Sequence, residues 1–407
     1  MLHRVKNSVK SSIKDGVCWA AMFGFVEPYI VPFALGLGTS NLVIGIVRSL
    51  PVLMASFAQV FAEFFVYYFK SCKKVVFWTV FAQALSLFFA SLCVFAPAGP
   101  AIYLFIFFMV FYSIGGGIAT APWLTLVGEY LPADKRGEFF GFRNRLIAVS
   151  YFSASFLASL LLNVYGKHLV SFFVLFFTAS LFRFCSVHYI SLMYESPNRF
   201  HIPRTFSGLI FPVRGDEGHP GVHKIFISLF ILLFSTYIAA PYFSVYVLKD
   251  LGFDYVRYMI VMSIGQFLTW MLMKYWGILL DRKGCISVLK YAFWFIPVVS
   301  LLWLCSGNFY YLTAVEIFSG VAWSAFGLGV TNLVYEYLEP PLRTRYNSHL
   351  IFLMSLAQFG GSLLGGFLYD HFSGVYDHPF FIVLGLSTAG RFAALLHFYS
   401  VKKHLVR

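Results

Sequence analysis

Charge is what this sequence has least of. Asp, Glu, Lys and Arg make up 12% of its 407 residues, where a soluble domain carries about 25%. With 59% hydrophobic residues and a mean hydropathy of +0.77, the chain cannot clothe a core in a water-facing surface; it is a polytopic membrane protein. Cysteine is also scarce. The six, at 18, 72, 93, 185, 285 and 305, show no C-x-x-C and no paired spacing, which argues against a disulfide framework and against a metal site. The sequence has no N-x-S/T glycan acceptor, no H-E-x-x-H, no nucleophile elbow and no G-x-x-x-x-G-K-[ST] phosphate loop. A membrane enzyme therefore lacks its compact catalytic set, and ATP lacks a place to act within the chain. No cofactor is expected.

What is abundant is apolar and aromatic. Fifty Phe and 25 Tyr suit lipid-facing surfaces and interfacial belts, and say little about any ligand. Runs of about 20 apolar residues, the length that crosses a bilayer, predict twelve helices at 16–37, 41–69, 75–97, 100–128, 139–165, 168–193, 223–248, 254–280, 288–306, 308–336, 346–372 and 379–401. The basic start "MLHRVKNSVKSSIK" runs into an apolar stretch holding Glu27 and Pro28, so it is expected to lead into a retained first helix and not a cleaved signal. The segment 194–222, rich in Pro, Gly and charge, separates six spans from six. The expected organisation is thus a bundle over 1–193, a linker over 194–222 and a second bundle over 223–407.

The basic residues set the orientation. Arg4, Lys6, Lys10, Lys14, Lys70, Lys73, Lys74, Lys135, Arg136, Arg199, Arg204, Arg214, Arg282, Lys283, Arg343, Arg345, Lys402, Lys403 and Arg407 fall on one side, against Lys167, Lys249 and Arg257 on the other. By the positive-inside rule both termini and the linker are cytoplasmic. The net charge of +13 is then explained by topology and attraction to anionic lipid, with no nucleic acid needed.

The halves repeat one another. "FFVLFFTASLFRF" (172–184) and "FFIVLGLSTAGRF" (380–392) place Arg183 and Arg391 208 positions apart, and "EYLPADKR" (129–136) and "EYLEPPLR" (336–343) recur at nearly the same offset. Pro32 and Pro241 stand near the outer ends of the first helix of each half. Parallel duplication of this kind is an architecture of secondary transporters.

At these residues the chain resembles a known family. "GILLDRKG" (277–284) is similar to the G-x-x-x-D-R-x-G signature of the major facilitator superfamily, and "LPADKRGEFFGFRNR" (131–145) to its loop between the fourth and fifth helices. In the first half Tyr67, Tyr68, Phe69 and Lys70 stand where D-R-x-G is expected. The resemblance implies an all-α integral membrane fold of twelve transmembrane helices in two pseudo-symmetric six-helix bundles. It implies a secondary active transporter moving a small solute by alternating access, with protons as the coupling ion. It also implies a cytoplasmic gate in which Gly277, Asp281, Arg282 and Gly284 face Arg136, Arg143 and Arg145. A monomer in a plasma membrane, the inner membrane of a bacterium, is the expected setting. A sensor or a lipid-handling protein on the same fold stays open as the alternative.

Ionisable groups at membrane depth are costly and usually functional. Glu27 lies roughly 16 Å into the first helix, beside Pro28; it could take up a proton or a cationic group, or pair with Arg48. Glu316 sits about eight residues below the outer end of the tenth helix, at similar depth to Arg48, as a second cavity carboxylate. Arg183 and Arg391, on helices that are outer supports in the resembled family, are expected to staple backbone carbonyls or a neighbouring carboxylate, or to snorkel to the cytoplasmic headgroups. Trp123, Trp323, Asn332, Gln59, Gln266 and Tyr237 are candidates to stack on and orient a solute. The glycines of "GGG" (115–117) and "GGSLLGG" (360–366) are expected at close helix contacts. The two Asp-His pairs of "YDHFSGVYDH" (369–378) match no standard metal spacing.

Overall fold

The fold is that of a computed structural model, which describes residues 2–130, 136–165, 168–195, 220–338 and 340–401. Most of the expected linker, 196–219, lies outside the described residues. Among the described residues, twelve helices are long and apolar enough to cross a membrane. They are α1 (Val5–Gly36), α2 (Asn41–Gln59), α3 (Cys72–Phe95), α4 (Gly99–Gly128), α5 (Phe139–Val164), α6 (Leu169–Ser191), α7 (Val222–Asp250), α8 (Tyr255–Lys283), α9 (Cys285–Leu302), α10 (Phe309–Tyr337), α11 (Tyr346–Phe372) and α12 (Pro379–Val401). In hydrocarbon a backbone N–H has no water to turn to, so continuous helices are what such runs can form.

Polar residues in the connections start and stop them. The Ser71 hydroxyl accepts the Lys74 N–H at 2.9 Å, the Asp254 carboxylate the Arg257 N–H at 2.8 Å, and the Asn308 amide oxygen the Tyr310 N–H at 2.9 Å, each filling a donor that the first turn leaves open. Gly284, at φ 75°, makes the sharp turn from α8 into α9, a conformation glycine adopts without a steric cost.

Two of the expected spans differ most. The first helix begins at Leu2 and not near residue 16, because the small polar residues of the basic start face inward: Ser8, Ser11, Ser12 and Asp15 are buried. The second predicted span, 41–69, is a helix to Gln59 and a separate one over Ala62–Phe69, closed by Lys70 at φ 50°.

Two compact units result. One is Met1–Gly38 with Leu50–Gly208; the other is Thr39–Ser49 with Leu209–Arg407. In the first, α1 packs on α5 and α6, and α3 on α4 and α6; in the second, α7 packs on α11 and α12, and α9 on α10 and α12. The same pairings recur in the same order, as parallel duplication demands.

The equivalence reaches single atoms. Helix α1 tightens to a 3₁₀ turn at Glu27–Tyr29 and α7 at Ala240–Tyr242, each with a proline in its middle. Tyr29 then donates its hydroxyl to the Ser155 carbonyl, and Tyr242 to the Ser362 carbonyl, both at 2.5 Å. The structural counterpart of Pro241 is therefore Pro28, not Pro32. The glycine clusters sit at close helix contacts: a Cβ on Gly117 would stand 2.2 Å from the Ala55 carbonyl oxygen, and one on Gly365 1.9 Å from that of Ile238.

Candidate functional site

In the first unit a polar cluster forms around a residue the sequence reading passed over, Asp15 on α1. Trp123 of α4 donates its indole N–H to Asp15 Oδ2 at 2.9 Å, and Ser186 of α6 donates to Oδ1. Ser186 in turn accepts from Arg183 at 3.0 Å. The guanidinium of Arg183 also gives two hydrogen bonds to Gln83 Oε1 on α3, the one from Nε at 3.0 Å, and Gln83 passes its own amide hydrogen to the Tyr112 carbonyl of α4 at 2.7 Å. The Arg143 guanidinium of α5 lies 4.3 Å from the centre of the Trp123 ring. Asp15 and Arg183 are buried, at 4% and 5% exposure. One carboxylate thus stands in electrostatic reach of both arginines, and the cluster ties together α1, α3, α4, α5 and α6.

The second unit carries its own cluster. Glu316 of α10 accepts the indole N–H of Trp303 at 2.8 Å, and its other oxygen lies against Gly265 of α8, where a Cβ would approach to 3.0 Å. Arg391 of α12, 3% exposed, gives Nε to the Ser387 hydroxyl at 3.2 Å and reaches the carbonyls of Ile296 on α9 and Thr236 on α7 at 3.4 and 3.5 Å. It is also within electrostatic reach of Glu316. So Arg391 has a serine hydroxyl and backbone oxygens, with a carboxylate in electrostatic reach, whereas Arg183 has a side-chain amide and, through Ser186, a carboxylate.

The chain matches the family model described as Major Facilitator Superfamily over residues 16–296 and again over 225–405. The chain belongs to the Major Facilitator Superfamily. Several solved structures share its fold. A bacterial homologue of the iron transporter ferroportin in an inward-facing state is 15% identical, over 98% of this chain and 99% of that one, with a TM-score of 0.69. The nucleoside transporter NupG is 16% identical over 99% of both chains, at 0.65. A POT family transporter in complex with 5-aminolevulinic acid is 10% identical, over 97% of this chain and 96% of that one, at 0.71. No curated protein matches the chain in sequence.

The remaining candidates of this major facilitator chain are placed as follows. Glu27 opens the 3₁₀ turn of α1 and is half-buried in the first unit; Arg48, on the part of α2 that belongs to the second unit, is half-buried too. Gln59, Gln266 and Tyr237 are half-buried, and Tyr237 packs against the apolar core of the second unit together with Trp323. Trp323 meets Phe326 edge-on at 5.2 Å, and Asn332 gives its amide to the Leu328 carbonyl one turn back at 2.9 Å. The structure brings Trp123, Arg143 and Arg183 together in one unit and Glu316 with Arg391 in the other.

The gate signature behaves unevenly. Gly284 makes the turn, yet a Cβ on Gly277 would meet nothing within 4 Å. Asp281 and Arg282 are exposed, as is Arg145, whose Nε donates to the Gly141 carbonyl at 3.3 Å. Arg136 has a side chain outside the described residues. The carboxylate that does engage a helix N-terminus here is Glu336, which accepts the Cys285 N–H at 2.8 Å at the start of α9. In the first unit Glu195 takes the matching place at α3, accepting the Lys73 N–H at 3.1 Å and the Ser71 hydroxyl. Among the described residues no three His, Cys, Asp or Glu converge on a metal-sized point. In "YDHFSGVYDH", Tyr369 donates to Asp250 at 3.4 Å and Asp370 caps α2.

Asp15, Gln83, Trp303 and Glu336 were missed for one reason. Asp15 sits among four lysines and arginines of the basic start and reads as a solvated surface charge. Nothing local marks it as buried. The usable signal was the "EYL" repeat, whose second copy carries Glu336.

Proposed function

We propose that this chain is a secondary active transporter that carries a small organic solute across a membrane by alternating access and couples that movement to protons. The observation that supports it best is the pair of internal charge clusters, Asp15 with Arg183 and Glu316 with Arg391. Buried charges cost stability, and in transmembrane bundles they are kept chiefly for ion or substrate handling. Membership of the superfamily supplies the transporter scaffold, and rocking of two repeated bundles about a central site supplies the cycle.

Glu316 is the coupling carboxylate in this scheme. Trp303 fixes one of its oxygens, and Arg391 provides the charge against which its protonation is set. Glu27, beside the 3₁₀ turn of α1, with Arg48, Trp123, Trp323, Asn332, Gln59, Gln266 and Tyr237, forms the set from which the solute contacts come. Gly277, Asp281, Arg282 and Gly284 of the second unit, and Arg136 and Arg145 of the first, serve closure of the cytoplasmic side. The protein works as a monomer in a bacterial inner membrane with both termini in the cytoplasm. The solved relatives are a nucleoside transporter, a homologue of an iron transporter and a transporter in complex with an amino acid derivative, so the solute panel for a test is nucleosides, amino acids, short peptides, sugars and organic acids. Purified protein in proteoliposomes should take up at least one of these above protein-free vesicles, and a protonophore should stop accumulation. A well-folded preparation that moves none of them would turn the assignment to a sensor on the same fold.

A further inference from the structure

We infer that Arg143, set against the face of Trp123, is the binding point for an anionic group, a carboxylate or phosphate, of a small solute; this rests on the transporter reading above and names the class of its substrate. The argument begins with charge. Arg143 and Arg183 share Asp15 as the carboxylate in electrostatic reach, and each oxygen of that carboxylate already accepts one hydrogen bond, from Trp123 and from Ser186. Glu27 lies twelve residues further along α1, about 18 Å away by helical rise. A half-buried guanidinium that shares one carboxylate with a second arginine favours a second anion.

Geometry says where that anion sits. Among the described residues the hydrogen bond of Arg143 is a long one, from Nε to the Ser12 carbonyl at 3.4 Å. Its Nη groups have no protein acceptor among those residues, and they are not among the sealed, unsatisfied polar atoms. An arginine donates through a flat fork that fits a carboxylate or phosphate with two parallel bonds. The indole face, 4.3 Å from the guanidinium carbon, holds the fork in place, and the bond from Trp123 to Asp15 fixes the indole. The fork is therefore pre-organised before anything binds. Gly16 leaves the space it occupies: a Cβ there would come within 2.6 Å of Nη2.

The site lies at the end of the first unit where the chain begins. Arg143 is four residues into α5, about 6 Å, and Trp123 five residues from the close of α4, about 8 Å by the same rise. That depth is within reach of a lipid headgroup as well as of a soluble anion. Both offer the same chemistry, and the test has to separate them.

The experiment uses the full-length protein in nanodiscs of phosphatidylcholine, which carries no net charge. Tryptophan fluorescence and thermal unfolding are followed on titration with benzoate, succinate, glycerol phosphate and inorganic phosphate, each beside an uncharged analogue such as benzamide or succinamide. At least one anion should bind saturably while its neutral analogue does not. Arg143→Gln should weaken that binding at least tenfold, and Arg143→Lys, which keeps the charge and loses the fork, should fall between. Gly16→Ala, which displaces the guanidinium and leaves Arg143 in place, should also weaken it and serves if Arg143→Gln does not fold. The inference is overturned if no anion binds the wild type, if Arg143→Gln binds as well as the wild type, or if only discs containing phosphatidylglycerol give an Arg143-dependent response. In the last case the fork holds a headgroup. Because binding is read without any transport step, loss of the anion site and failure of the transporter reading remain distinguishable.

Discussion

Asp370 of α11 caps the first turn of α2 across 329 positions of sequence, its Oδ1 accepting the Asn41 backbone N–H at 3.0 Å and the Asn41 side-chain amide at 2.7 Å. Its Oδ2 accepts the Leu42 N–H at 2.9 Å. A carboxylate at a helix N-terminus satisfies open donors and meets the positive end of the helix dipole. This contact explains why Thr39–Ser49 groups with the second unit while Leu50 onward groups with the first. The change of unit falls beside Pro51, inside the helix, which cannot donate to the carbonyl a turn earlier and so loosens the helix there.

Asp370→Ala should therefore lower stability by about 1 to 2 kcal/mol, the usual cost of losing a cap, and Asp370→Asn by less. Thermal unfolding of the purified protein measures it. Gly366→Ala attacks the same contact sterically, since its Cβ would stand 2.7 Å from Leu42 Cα. It should be at least as damaging as Asp370→Ala, and a neutral effect of both would remove the cap from the account.

Tyr29→Phe and Tyr242→Phe should each cost about 1 kcal/mol, the net worth of a buried hydrogen bond, because each deletes one hydroxyl donated to the Ser155 or Ser362 carbonyl. Near-equal shifts in unfolding are expected from the repeated geometry. A large effect at one position and none at the other would show that the two turns carry different loads.

The fold was legible in the sequence because its cause is local: a run of apolar residues long enough to span lipid needs no partner to be recognised. The 208-residue spacing of Arg183 and Arg391 likewise exposed the repeat. Their partners were not legible. Arg183 meets Gln83 across 100 positions, and Ser186, which it touches, meets Asp15 across 171; such pairings are set by how helices pack. The same holds for the segment after Thr39, whose place depends on Asp370, and for the helix caps of Glu195 and Glu336. Proline position misled in a related way: Pro32 and Pro241 share surroundings in sequence, but the turn is made by the prolines that precede Tyr29 and Tyr242.

Glu129 offers a pH test outside the membrane-spanning segments. Burial first, and the neighbouring Glu195 second, raise its pKa above the usual carboxylate value. A carboxyl whose folded pKa is raised favours the folded state while it is protonated, and that contribution is lost as pH rises through the folded pKa. Glu129→Gln should thus raise the unfolding midpoint slightly at pH 8 and leave it unchanged near pH 4. The group is largely solvated, so screening holds the gain below about 1 kcal/mol. A gain that grew toward acid pH would contradict the sign.

The central claim is that an internal carboxylate couples solute to protons, and Glu316 is where it is tested most directly. Proteoliposomes holding wild type or Glu316→Gln are given an imposed pH gradient, and accumulation of a transported solute is compared with its exchange at equal pH on both sides. The account predicts that the wild type accumulates solute until a protonophore is added, and that Glu316→Gln keeps exchange but loses accumulation. Gradient-driven accumulation at the wild-type level by a well-folded Glu316→Gln protein would contradict it.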